Sequence, residues 1–237
     1  MRLRRPARAG RKAARPRPQR RTGAASCPSC GAPVKFRNRR SVARVCEYCD
    51  TTLVRDDAGD ALRELGKVSH LVADASPLRI GATGTCFGVG FSVLGRLQIE
   101  HETGLWNEWF LEWADGHTGW LGEALGQYLI TFPARGEGIR TFVPLFDELS
   151  VGQRVVIDGK RYTVTELRKA LATGTEGETP FVVEEGYELP YADLRRGSDG
   201  FGTIDYSEDP PLVFTGRCVS WPDLNLRGYR SFDGWQG

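Results

Sequence analysis

Acidic residues are missing from the first 45 positions of this chain, which hold fifteen Lys and Arg. The other 17 basic residues face all 30 acidic ones over 46–237, a net charge of about −13 for the body. A basic head on an anionic body argues against a chain that lies on nucleic acid along its whole length. Histidine is scarce too: His70, His101 and His117 are the full set. GxSxG, P-loop, HExxH and dinucleotide fingerprints are all absent, so the commonest enzyme readings lose their sequence support. No apolar run approaches the roughly eighteen residues of a membrane span. No apolar stretch follows the basic start, so a secretory leader is not expected and the cytoplasm is.

What is present is cysteine in a particular pattern. Cys27-Pro28-Ser29-Cys30 and Cys46-Glu47-Tyr48-Cys49 are two CxxC pairs with fifteen residues between them. Thiolates are soft ligands that suit tetrahedral zinc. Two pairs at this distance let two knuckles face each other across a short hairpin, and Gly31 follows the first directly. Zn2+ held by Cys27, Cys30, Cys46 and Cys49 is the expectation. Iron in the same cage is one rival. Two disulfides are the other, and they require an oxidising compartment. Cys86 and Cys218 are single and far apart, which fits small buried apolar residues better than ligands.

Along the chain, residues 1–25 carry Arg, Ala, Pro and Gly with almost no apolar side chains, so a disordered basic tail is expected. Residues 26–55 form the zinc ribbon, where Val34, Phe36, Val42 and Val45 alternate with cations on a short hairpin. Residues 56–76 are expected to be a helical connector, because Ala61, Leu62, Leu65, Val68 and Leu71 recur at helical spacing. Ser76-Pro77 marks entry to the body. From there the pattern is β, punctuated by Gly and Pro.

An internal repeat runs through the body. Leu78-x-Ile80-Gly81 leads to Gly88, Phe91 and Val93. Leu149-x-Val151-Gly152 leads to Gly159, Tyr162 and Val164, without a gap. Each copy reads as a strand, a tight turn at the second Gly, and a return strand. The expected fold is mainly β: ribbon, connector helix, then two related small barrel-like or curled-sheet modules over 77–148 and 149–225. A polar tail follows over 226–237.

Catalytic chemistry finds no nucleophile–base pair at a recognisable spacing. Trp106, Glu108, Trp109, Trp120, Glu123, Glu178 and Asp205 are the candidate ligand or partner surface. Tryptophans fill small β cores, and strand glutamates ordinarily face water. Where a ring face and a carboxylate meet, however, they form a cage for a cation.

Trp106-Asn107-Glu108-Trp109, Asp115-Gly116 leading to Gly119-Trp120-Leu121, Gly177-Glu178-Thr179-Pro180, and Thr203-Ile204-Asp205-Tyr206-Ser207 occur in order. Over about residues 26–225 the chain resembles a bacterial family, domain of unknown function number 4178, whose members often begin with a CxxC…CxxC knuckle. The family usually has Glu-Leu-Pro where this chain has Glu178-Thr179-Pro180. The resemblance implies no activity. It does imply a stress- or envelope-linked setting, since the family's genes tend to neighbour polyamine-synthesis and small membrane-protein genes.

Three readings stand. The first is a non-enzymatic binding or scaffold protein, with a protein partner or a cationic ligand such as a polyamine. The second is a nucleic-acid binder acting through residues 1–45. The third is an enzyme acting on a cationic metabolite.

Overall fold

The computed structural model describes residues 24–55, 61–67, 71–72, 75–102, 104–134, 143–183 and 186–232. The expected disordered tail falls almost wholly outside them. In chain order the strands are β1 (Ala24–Ser26), β2 (Pro33–Lys35), β3 (Ala43–Val45), β4 (Thr51–Arg55), β5 (Leu62–Lys67), β6 (Thr83–Cys86), β7 (Val89–His101) and β8 (Gly104–Trp113). There follow β9 (Thr118–Ala124), β10 (Gln127–Pro133), β11 (Arg154–Ile157), β12 (Lys160–Thr179), β13 (Tyr187–Arg196), β14 (Gly200–Asp205) and β15 (Leu212–Val219). The fold is mainly β, as the alternation and turn chemistry indicate.

The connector helix is corrected. Leu62–Lys67 is strand β5, hydrogen-bonded to β4. Within this strand the helical spacing finds no surface to bury against, since Leu65 is 43% exposed and only Leu62 is half-buried; residues 56–60, 68–70 and 73–74 of the expected connector lie outside the described residues. Gly66 lies opposite Thr52 beside a bulge with φ of 123°, a conformation no helix uses. The unpaired edge of β4 offers backbone hydrogen bonds where an isolated short helix would gain little.

Two modules packed side by side are also corrected. β7, β8, β9, β10, β15, β14, β13 and β12 pair antiparallel in that order, and β12 returns to pair with β7. The ladders therefore close into one ring of eight strands, with no free edge within it. β6 extends β7 and β11 extends β12 as flanking hairpins.

The two hairpins carry the same backbone devices. Phe87-Gly88 and Asp158-Gly159 are two-residue turns with positive φ at both positions, 53° and 77° against 49° and 72°, which is the turn geometry that matches strand twist. Gly81 N–H donates to Val93 O at 2.9 Å, and Gly152 N–H donates to Val164 O at 2.8 Å. Bulges follow at Val93/Gly95 and at Val164/Glu166. Phe91 and Tyr162 are buried, as are Val93 and Val164.

The correspondence extends around the ring. Ser92↔Glu112 matches Thr163↔Arg195, and Gly95↔Phe110 matches Glu166↔Asp193. Phe110↔Trp120 matches Asp193↔Thr203, and Ile130↔Leu121 matches Val213↔Ile204. The offset is 71 residues on β7 (Ser92 to Thr163) and 83 from β8 onward (Glu112 to Arg195). At the two seams, corresponding residues pair with each other: Glu100 with Leu171, and Phe132 with Thr215. Both seams are close. A Cβ on Gly95 would lie 1.8 Å from Glu178 O, and one on Gly216 would lie 1.8 Å from Ile130 O.

Each half has its own outer core. Phe91, Trp109, Trp113 and Leu121 lead one; Tyr162, Val164, Leu194 and Ile204 lead the other. A third cluster draws Leu97, Ile99, Phe110, Trp120, Ala170 and Ala172 from both halves onto the inner face of the ring.

Candidate metal centre and the inner face

Two short turns build the cysteine cluster. In the first, Gly31 N–H donates to Cys27 O; in the second, Asp50 N–H donates to Cys46 O. Gly31 and Asp50 both have positive φ, at 77° and 56°, which folds each CxxC back on itself. The four sulfurs lie within 4.8 Å of one another, and none is in a disulfide. Cys27 and Cys49 are 3.8 Å apart, as are Cys30 and Cys46. Thiolates bound at about 2.3 Å to one tetrahedral ion stand about 3.8 Å apart, so the donor set fits a metal. The Thr51 hydroxyl, 3.3 Å from Cys49 Sγ, and the Thr51 backbone pull that thiol down to about 6, toward the form that binds metal.

A buried carboxylate fastens this unit to the ring. Glu178 ends β12 with no exposed surface. It accepts from Arg37 N–H at 2.6 Å, Asn38 N–H at 3.1 Å, Ser41 Oγ at 2.7 Å and the Arg44 guanidinium at 2.8 Å. β12 also pairs with β3 through Glu178↔Arg44 and Thr179↔Ala43. Four donors leave Glu178 a junction residue and no part of an exposed surface.

The other candidates divide by strand alternation. Trp109 and Glu123 lie on the outer side of β8 and β9. Glu123 Oε2 accepts from Trp109 Nε1 at 3.0 Å and from Ser76 Oγ at 2.6 Å. The Arg96 guanidinium stands 5.2 Å from the Trp109 ring centre and donates to Asn107 Oδ1 at 2.8 Å. This is an internal polar network.

Trp106, Glu108, Trp120 and Asp205 share the inner face. Cross-strand partners share a face, and the pairs Phe110↔Trp120, Glu108↔Gly122 and Tyr191↔Asp205 bring this side of both halves together. The Trp106 and Tyr191 rings meet edge to face at 5.8 Å. Burial pushes the Glu108 carboxyl up to about 8, with the Asp193 charge adding to it. Burial likewise pushes Asp193 up to about 7, against a hydrogen bond from Thr203. Burial also raises Asp205 and Tyr191. Trp106, Glu108, Asp193, Asp205 and Tyr191 all keep partial exposure, so the inner face is enclosed without being sealed.

Asp193 and Tyr191 escaped the sequence reading. The signal was there: Asp193 lies between the core residues Ala192 and Leu194, so strand alternation turns it to the opposite face. Its placement opposite Thr203, on the face of Glu108, depends on ring closure, which no local pattern shows.

A family model described as "Domain of unknown function (DUF4178)" matches residues 79–220. No curated protein and no solved structure matches the chain. No helix among the described residues is long and apolar enough to cross a membrane.

Proposed function

The chain belongs to this family of unknown function, and on that premise we propose that it is a non-enzymatic binding or scaffold protein. In this reading a structural zinc ribbon is clamped to a duplicated β ring. The matched registers support duplication, and the two self-paired seams are what a twofold relation between copies would produce. Four thiolates complete a tetrahedral cage and leave no open position for substrate, so the metal serves folding. The unbridged thiols suit the reducing cytoplasm.

The observation that carries the binding reading is the inner face. Glu108, Asp193 and Asp205 stand there with Trp106, Trp120 and Tyr191, carboxylates beside aromatic rings. A small organic polycation is the ligand class this suits. Carboxylates that hold protons near neutrality release them when a cation arrives, so binding should tighten as pH rises from about 6 to 9.

Titration calorimetry with spermidine tests the ligand class. Binding to the wild type should weaken at least tenfold in Glu108→Gln/Asp193→Asn. No heat at millimolar spermidine would rule out the polycation reading. Native mass spectrometry tests the ribbon: one zinc per chain is expected, lost on Cys46→Ser with the β ring still folded. Iron in the cage, or a metal-free chain with two disulfides, would overturn it.

A further inference from the structure

On the outer side of the β10–β15 seam, between the two hairpin tips, is a cavity of about 420 Å³. Its walls carry three cations, Lys160, Arg196 and Arg217, and its apolar lining includes Phe87, Phe132 and Tyr162. One acid faces them: Asp199, 3.8 Å from Arg217. The cavity therefore keeps a positive excess beside aromatic rings. The Arg217 guanidinium is 5.3 Å from the Phe87 ring centre, and that of Arg196 is 5.8 Å from the Tyr162 centre.

Three observations set this cavity apart from an ordinary charged surface. First, the fold does not require its cations. By the register correspondence, Lys160, Arg196 and Arg217 occupy the places of Val89, Trp113 and Ala134 in the first half. The same backbone accepts apolar residues at all three places. Second, Phe87 is half-exposed with φ of 53°. A bulky side chain in the left-handed region is strained, and the second half has Asp158 there, a residue that tolerates it. Such strain is characteristic of functional positions. Third, Phe87 and Phe132 both pack on the buried Trp113, so the apolar wall of the cavity is held by the first half's core.

We infer that this cavity binds a small planar anion: an aromatic or heteroaromatic ring that carries a phosphate group. The Phe87 ring and the Arg217 guanidinium that lies over it take the ring, and the Arg196 and Lys160 head groups take the phosphate. The volume is that of an ordinary small-molecule site. The site lies on the outer side of the ring and takes the opposite charge from the inner face. Its test therefore stands apart from the polycation reading.

Calorimetry on the full-length protein with AMP and 4-nitrophenyl phosphate, alongside adenosine and inorganic phosphate, decides it. At least one phosphorylated ring should bind, with adenosine and phosphate at least tenfold weaker. Lys160→Gln/Arg196→Gln should weaken that binding at least tenfold with an unchanged melting temperature, since both side chains are exposed. Phe87→Asp, which puts the second half's turn residue in place, should weaken ring binding without unfolding the hairpin. The inference is overturned if neither phosphorylated ring binds at millimolar concentration. It is equally overturned if inorganic phosphate binds as well as AMP, or if these variants bind like the wild type.

Discussion

Glu178 and Glu108 are both withdrawn from water, but only Glu178 is surrounded by donors. Its four donors come from the ribbon, so truncation would strand two backbone N–H groups, a hydroxyl and part of a guanidinium. Glu178→Ala should destabilise the chain by about 3–5 kcal/mol, the usual cost of breaking a buried ion pair from one side. Glu178→Gln, which keeps the shape and an acceptor, should recover part of it. Denaturant midpoints for the two variants measure this, and a loss below about 1 kcal/mol in the alanine variant would deny Glu178 its fastening role. Glu108 predicts a pH effect instead. Its folded form keeps a proton up to about 8, and Asp193 keeps one up to about 7. The unfolded chain releases both near pH 4. Between these limits the folded state binds more protons, so this contribution to stability is full below about pH 4 and declines as pH rises toward 8. The cysteine cage also responds to pH, so the informative quantity is the difference between wild type and Glu108→Gln. That variant should gain relative stability steadily from pH 5 to 8. A difference independent of pH would show that Glu108 ionises normally.

Hairpins are the scale at which the residues spoke most directly. The repeated Gly, aromatic and Val spacing placed Gly88 and Gly159 in tight turns, and both have positive φ. It also placed Phe91 and Tyr162 in core positions, where they are 3% and 4% exposed. Phe91→Ala and Tyr162→Ala should each cost about 3–5 kcal/mol in equilibrium unfolding, as emptied aromatic core sites do. Tyr162 should lose the smaller amount, because the cavity beside it already admits solvent. Equal and small losses would mean that neither ring anchors its hairpin. Turn residues and alternation are local, which is why these elements were legible, as was the CxxC spacing of the cage. The connector was misread for a related reason. Leu62, Leu65 and Val68 have helical spacing, yet spacing carries no information on whether a facing surface exists. What decided Leu62–Lys67 was the open edge of β4, a partner brought by the chain's path. Glu178 reads from sequence as part of the candidate ligand or partner surface for want of the same information: its four donors lie some 134–141 residues away in sequence.

The whole ring is held by its two seams, and these are the least local pairings within it. Strands within each half follow one another through short connections, so their pairing is cheap in loop-closure entropy. The pairings of β7 with β12 and β10 with β15 join the halves. Without them each half would present two unpaired strand edges, and the first half would also present the apolar inner-face residues Leu97, Phe110 and Trp120. The halves should therefore depend on each other for folding while needing no peptide bond between them. Cutting the chain between residues 134 and 143 tests this. Two co-expressed fragments divided there should co-purify as a folded one-to-one complex, because both seams and the Glu178 junction survive the cut. Each fragment expressed alone should aggregate, or should pair with a second copy of itself, since the seam registers are self-corresponding at Glu100/Leu171 and Phe132/Thr215. A self-paired complex of one fragment would further support duplication of an ancestral symmetric dimer. Fragments that fold separately as stable monomers would show that the ring is not the cooperative unit, and the seams would then be mere contacts between two independent modules.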